Sequence, residues 1–143
     1  MRAEVAHAPH APTLFFEFHG QSEASVDEQS LSVGEIVGDH GGRDYARAVT
    51  PEDRAKLWQA RHDAYYAALA LRPGSRGWTT DVCVPISRLA DCIRDTKRDL
   101  ADSPLVGPLV GHVGDGNFHL IMPVNPDSAP EMAAAEHLTD RLV

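Results

Sequence analysis

The segment Gly111-His112-Val113-Gly114-Asp115-Gly116-Asn117-Phe118-His119 is the strongest local constraint on this chain. An Asp-Gly pair favours a two-residue β-hairpin, because both central residues of that turn adopt positive φ. The flanks are apolar and strand-like, with Leu109 and Val110 before the turn and Phe118, Leu120 and Ile121 after it. With Asp115 and Gly116 as the loop, Gly114 pairs with Asn117, Val113 with Phe118, and His112 with His119. The two imidazoles then share one face of the hairpin with Cβ atoms roughly 5 Å apart, close enough to reach one cation. Two His and a carboxylate make a common divalent-metal site with open positions for substrate. The spacing supplies no third ligand, and a plain polar turn is the alternative reading of the same residues.

The rest of the chain reads as alternating elements around that hairpin. Residues 1–12 form an aperiodic lead-in, and Thr13 to His19 reads as a strand with Leu14, Phe16 and Phe18 on one face. Ser22 to His40 is expected to be an amphipathic helix stopped by Gly41-Gly42, followed by a short strand over Asp44 to Val49. Thr50-Pro51-Glu52-Asp53 is a helix start, with a hydroxyl cap, Pro in the first turn and acids at the positive end of the dipole. That helix carries Leu57, Trp58, Arg61, Ala64, Tyr65, Ala68 and Leu69 on one side and ends at Arg72-Pro73-Gly74. Arg61 on this side either snorkels past its aromatic neighbours to water or holds a guanidinium ready for a substrate carboxylate. Gly77 to Val84 is the next strand, and Ser87 is placed to cap a helix through Leu100 that buries Leu89, Ile93, Thr96 and Leu100. The hairpin spans Gly107 to Pro123; a turn at Asn125-Pro126-Asp127 and a helix from Ala129 complete the order. This order predicts an α+β, ferredoxin-like sandwich, with helices covering a mainly antiparallel sheet. No Gly-x-Gly-x-x-Gly or Walker loop follows a strand, which disfavours a nucleotide fold of the doubly wound kind.

Composition narrows the function classes. A 143-residue chain with 43% hydrophobic and 24% charged residues suits one soluble domain. Its formal net charge is −8 and its thirteen Lys and Arg are scattered, so the basic footprint of a nucleic-acid binder is missing. No apolar run reaches the ~20 residues of a transmembrane helix. Cys83 and Cys92 form no Cys-x-x-Cys pair and read as buried or inert thiols of a reducing compartment.

Four blocks in order carry a family resemblance. They are Pro12-Thr13-Leu14-Phe15-Phe16-Glu17-Phe18-His19-Gly20, Leu57-Trp58-Gln59-Ala60-Arg61-His62, Thr80-Asp81-Val82-Cys83-Val84-Pro85-Ile86-Ser87-Arg88-Leu89, and the His112 to His119 block. Together they resemble the C-terminal substrate domain of FAD-linked oxidases, within which cytochrome-type D-lactate dehydrogenases are the nearest match. Glycolate oxidase flavin subunits and D-2-hydroxyglutarate dehydrogenases are similar. The resemblance implies that His112 and His119 bind zinc or manganese, that Arg61 pairs with the substrate carboxylate, and that Asn117 contributes to cofactor binding. Bound metal would lower the pKa of the substrate 2-hydroxyl while the C2 hydride leaves for FAD. Thr79, Tyr65 and Ile121 stand where relatives acting on 2-hydroxyglutarate are expected to have a lysine and polar side chains. Their character implies a small 2-hydroxy monocarboxylate such as D-lactate.

The same resemblance places a flavin domain before Pro12, and a segment with a glutamate ligand and a catalytic histidine after the last helix. On that reading residues 13–143 are a partial domain truncated at its C-terminus and inactive when isolated, with FAD bound mainly by another domain. A cytoplasmic protein, or one peripheral to the inner membrane through its electron acceptor, is expected. The competing reading is a free-standing ferredoxin-like metal- or ligand-binding module without redox activity, which would complete its site from within, for instance with Asp81, His62 or Glu17. A third is a remnant with a large exposed apolar patch.

Overall fold

A computed structural model describes residues 11–142. The lead-in expected over 1–12 falls almost entirely outside them. The chain divides into two compact units, Met1–Leu57 and Trp58–Val143, and the division lies inside the second helix.

In the first unit, helix α1 (Glu23–Asp39) forms within the expected Ser22–His40 span, and its start is capped by the Ser22 hydroxyl, which accepts the Ser25 N–H at 3.2 Å. It ends where Gly41 takes φ 76°, a left-handed stop that glycine adopts without Cβ strain. The Tyr45 hydroxyl then donates to the Ser30 carbonyl at 2.9 Å, and the Tyr45 ring lies against Gly34. The strands expected over Thr13–His19 and Asp44–Val49 are not formed. A strand needs a partner for its backbone N–H and C=O groups, and neither segment pairs with a strand among the described residues. Asp44 also takes φ 59°, which breaks an extended run at its first residue. Leu14, Phe15 and Phe16 are exposed, and the rings of Phe16 and Phe18 stack 6.2 Å apart on one side of their segment.

Helix α2 (Pro51–His62) starts as expected, with the Thr50 hydroxyl accepting the Asp53 N–H at 3.1 Å. The single helix expected to Arg72 is instead two, α2 and α3 (Ala64–Ala70), separated at Asp63. The Asp63 carboxylate accepts the Gln59 amide at 2.8 Å, the local side-chain bonding by which Asp competes with helix continuation.

The sheet of the second unit is built on one long strand. Strands β1 (Arg76–Thr79) and β2 (Val82–Cys83) precede helix α4 (Ile86–Ala101), strand β3 (Leu109–His112), strand β4 (Asn117–Val124) and helix α5 (Ala129–Leu142). All three short strands pair antiparallel with β4. Thr79 faces Ile121 and Val82 faces Phe118, three residues on in each strand, so β1 and β2 are one strand of unbroken register interrupted at Thr80-Asp81. β3 lies on the other side of β4, with Leu109 opposite Leu120 and His112 opposite Asn117. The α+β class, with helices over a small antiparallel sheet, matches the expectation.

Alternation along β4 separates its faces. Phe118, Leu120, Met122 and Val124 point to α4 and α5, where they pack with Leu89, Leu105, Ala135 and Leu138. Trp78 joins this face, its indole N–H donating to the Thr139 hydroxyl of α5 at 3.0 Å. Arg141 of α5 grips Asp99 of α4 with two bonds of 2.8 Å. Helix α4 starts one residue before the expected cap: Pro85 occupies the capping position, its fixed φ of −51° leading into the helix, and Ser87 lies in the first turn. Beyond β4, the Asn125 N–H and the Arg72 guanidinium both donate to Glu131 of α5, at 2.8 Å and at 2.5 and 2.9 Å. Of the two thiols, Cys83 is exposed rather than buried, because it stands on the other face of the sheet.

Candidate functional site

The face of β4 opposite the core carries Asn117, His119 and Ile121. By register, His112 of β3 and Thr79 of β1 share that face. The directly opposed histidines expected from a two-residue turn are not what forms. The loop is a 3₁₀ turn, Val113–Asp115, closed by Gly116 at φ 73°, with the Gly116 N–H donating to the Val113 carbonyl at 3.3 Å. This longer loop moves the register by two residues: His112 faces Asn117, and His119 faces Val110. A shift of one would have sent the imidazoles to opposite faces, whereas a shift of two keeps them together as diagonal neighbours. Their ring centroids are 6.4 Å apart, the planes at 87°. Gly116 is required for space as well as for its φ, since a Cβ there would lie 2.1 Å from the Val84 carbonyl oxygen.

Three further side chains converge on this face. Arg61, in the last turn of α2, brings Nη2 to 3.3 Å from His112 Nε2. A guanidinium only donates, so the Nε2 lone pair of His112 is the acceptor. Nδ1 of His119 lies 3.1 Å from the Thr80 carbonyl oxygen and 3.5 Å from Asp81 Oδ1. A carbonyl only accepts, so the proton sits on Nδ1 and the Nε2 lone pair of His119 is free for a ligand. Asn117 donates to Asp81 Oδ1 at 2.8 Å and to the Val82 carbonyl at 3.2 Å, linking the start of β4 to the interruption between β1 and β2. Tyr65 of α3 covers the same sheet face beside Gly77, where an added Cβ would meet its hydroxyl at 2.5 Å. Thr79 and Ile121 face each other below it.

The donor set fits a divalent cation in part. Two imidazoles share a face, one tautomer is set for Nε2 ligation, and the other Nε2 is engaged by Arg61. Among the described residues no group of three or more His, Cys, Asp and Glu is placed to hold a metal ion. Asp81, expected as an internal third ligand of a free-standing module, instead lies on the Nδ1 edge of His119, away from the free nitrogen. Glu17 lies in the first unit, with its carboxylate 3.8 Å from His19. Sequence reasoning gave Thr80 no role, because its contact with His119 depends on the register between two strands nearly forty residues apart.

A family model for the C-terminal domain of FAD linked oxidases matches residues 2–143. The chain belongs to this family. A probable mitochondrial D-lactate dehydrogenase of Danio rerio is 52% identical over 131 residues, 92% of this chain and 26% of that protein. Mitochondrial D-lactate dehydrogenases (cytochrome) of Arabidopsis thaliana and Kluyveromyces lactis are 41% and 36% identical, each over 93% of this chain and 23% of the relative. This FAD-linked oxidase C-terminal domain thus spans about a quarter of the length of the curated relatives it matches. No described helix is long and apolar enough to cross a membrane.

Proposed function

We propose that this chain is the substrate- and metal-binding part of an FAD-dependent D-2-hydroxy-acid dehydrogenase that oxidises D-lactate to pyruvate. The observation that supports it best is the convergence of Arg61, His112 and His119 on one sheet face, in a chain whose relatives bear the name D-lactate dehydrogenase. His112 and His119 would hold zinc or manganese, which supplies the Lewis acidity that lowers the hydroxyl pKa. Bound FAD supplies the hydride acceptor, and Asn117 is proposed to contribute to its binding. Arg61 pairs with the substrate carboxylate, its planar fork matching the two oxygens. Its Nη2 donates to His112 Nε2 at 3.3 Å, a bond that ligation of a metal through that nitrogen would replace. Thr79, Tyr65 and Ile121 offer no cation to a second carboxylate, which favours a monocarboxylate. We propose a place at the periphery of an inner membrane, where an acceptor reoxidises the flavin; the word cytochrome in the relatives' names supports such an acceptor.

Calorimetric titration of the folded chain with zinc and with manganese tests the reading. Weak binding, lost in both His112→Ala and His119→Ala, is expected of a two-ligand site, and D-lactate should tighten it more than D-2-hydroxyglutarate does, since ligands sharing a site tighten each other reciprocally. Tight stoichiometric binding by the unaltered chain would favour the free-standing module instead. Undiminished binding by both variants would overturn it.

A further inference from the structure

We infer that Thr80 is a positioning residue that sets the tautomer and direction of His119 by lending its own side chain to the sheet; the inference rests on the proposed role of His119 as a metal ligand. In an antiparallel pair of the hydrogen-bonded kind, two opposed residues exchange both N–H···O=C bonds. Thr80 and Leu120 occupy such a position, between the Thr79–Ile121 and Val82–Phe118 pairs. Half of the exchange is ordinary: the Thr80 N–H donates to the Leu120 carbonyl at 3.1 Å. The other half is not, because the Leu120 N–H donates to the Thr80 hydroxyl oxygen at 3.0 Å. The hydroxyl takes the place of the Thr80 carbonyl in the ladder. That carbonyl meets His119 Nδ1 at 3.1 Å.

The substitution explains the gap between β1 and β2 as a built feature. Thr80 is buried, so Leu120 would carry an unpaired N–H inside the sheet if the hydroxyl were absent and nothing else moved. A carbonyl on Nδ1 leaves Nε2 as the ligating nitrogen, the arrangement by which histidine ligands are held in one tautomer and one orientation. Asp81 approaches the same nitrogen but at 3.5 Å, and its Oδ1 is already taken by Asn117 at 2.8 Å, so the shorter Thr80 contact is assigned the orienting role.

The test reads the tautomer of His119 by long-range ¹H–¹⁵N correlation in the metal-free chain at about pH 8, where imidazole is neutral. The unaltered chain should show the proton on Nδ1. In Thr80→Val, which keeps the shape and removes the oxygen, the backbone carbonyl returns to the Leu120 N–H and His119 should lose its Nδ1–H preference. Thr80→Ser, which restores the hydroxyl, should restore the signature. Zinc affinity should fall about tenfold in Thr80→Val and not in Thr80→Ser. The inference is overturned by a folded Thr80→Val chain that keeps the Nδ1–H form, or by loss of that form in Asp81→Ala alone. An Nε2–H signal from His119 in the unaltered chain overturns it without any variant. Failure of every form to bind zinc would sink the metal reading, while the tautomer comparison would still decide the role of Thr80.

Discussion

The two halves of β4 are neighbours in one strand and have different tasks. From Ile121 to Val124 every residue is buried, on both faces of the sheet. From Asn117 to Leu120 only Phe118 and Leu120 are buried, while Asn117 and His119 look out on the opposite face. The core face is continuous along the whole strand; the other face is closed at one end and left open at the other. A polar site needs this arrangement, because side chains held on a strand whose other side is packed keep their direction without being covered themselves.

The largest expected effect tests the continuity of the core face. Phe118→Ala in the open half should cost about 3–5 kcal/mol and Met122→Ala in the closed half about 2–5, both side chains being 0% exposed. Urea unfolding that finds Phe118→Ala nearly neutral would break the comparison. On the opposite face the halves should part: Ile121→Ala is expected to cost about 2–4 kcal/mol by leaving a cavity, and His119→Ala about 1. Similar losses for the two would mean that the open half is covered after all. The smallest effect lies just past the closed end, where Arg72 and the Asn125 N–H hold the Glu131 carboxyl down to about 2 from its ordinary 4.5. The unfolded chain therefore takes up this proton first. The contribution of Glu131 is complete above about pH 4.5 and is lost as pH falls towards about 2, and Glu131→Gln should flatten that part of the stability profile.

What was legible in the sequence was local. The span and Gly41 stop of α1, the Thr50 cap of α2, the Asn125-Pro126-Asp127 turn and the face of α4 that buries Leu89 and Thr96 all follow from residues within a few positions of one another. The apolar alternation over Thr13–His19 is equally local, yet Leu14, Phe16 and Phe18 form no strand, since a strand is completed by a partner distant in sequence. The hairpin shows the boundary between the two kinds of information. Its position and its glycine were readable, but Asp115-Gly116 serves the end of a longer 3₁₀ loop rather than a two-residue turn, and the register moved with it. The shared face of His112 and His119 survived because the shift was even. The contact of Arg61 with His112 and the place of Thr80 were not readable, since one joins a helix to a strand 51 residues on and the other depends on the ladder itself.

The bond from the Trp78 indole to Thr139 gives the molecule an internal optical gauge. Trp58, in α2, is 36% exposed and takes no part in the contact of Trp78 with α5, whereas Trp78 is half-buried and emits from beneath that helix. Departure of α5 from the sheet would therefore shift the emission of one indole to the red and leave the other unchanged. Fraying of this last helix could be followed by fluorescence while the remaining secondary structure is intact.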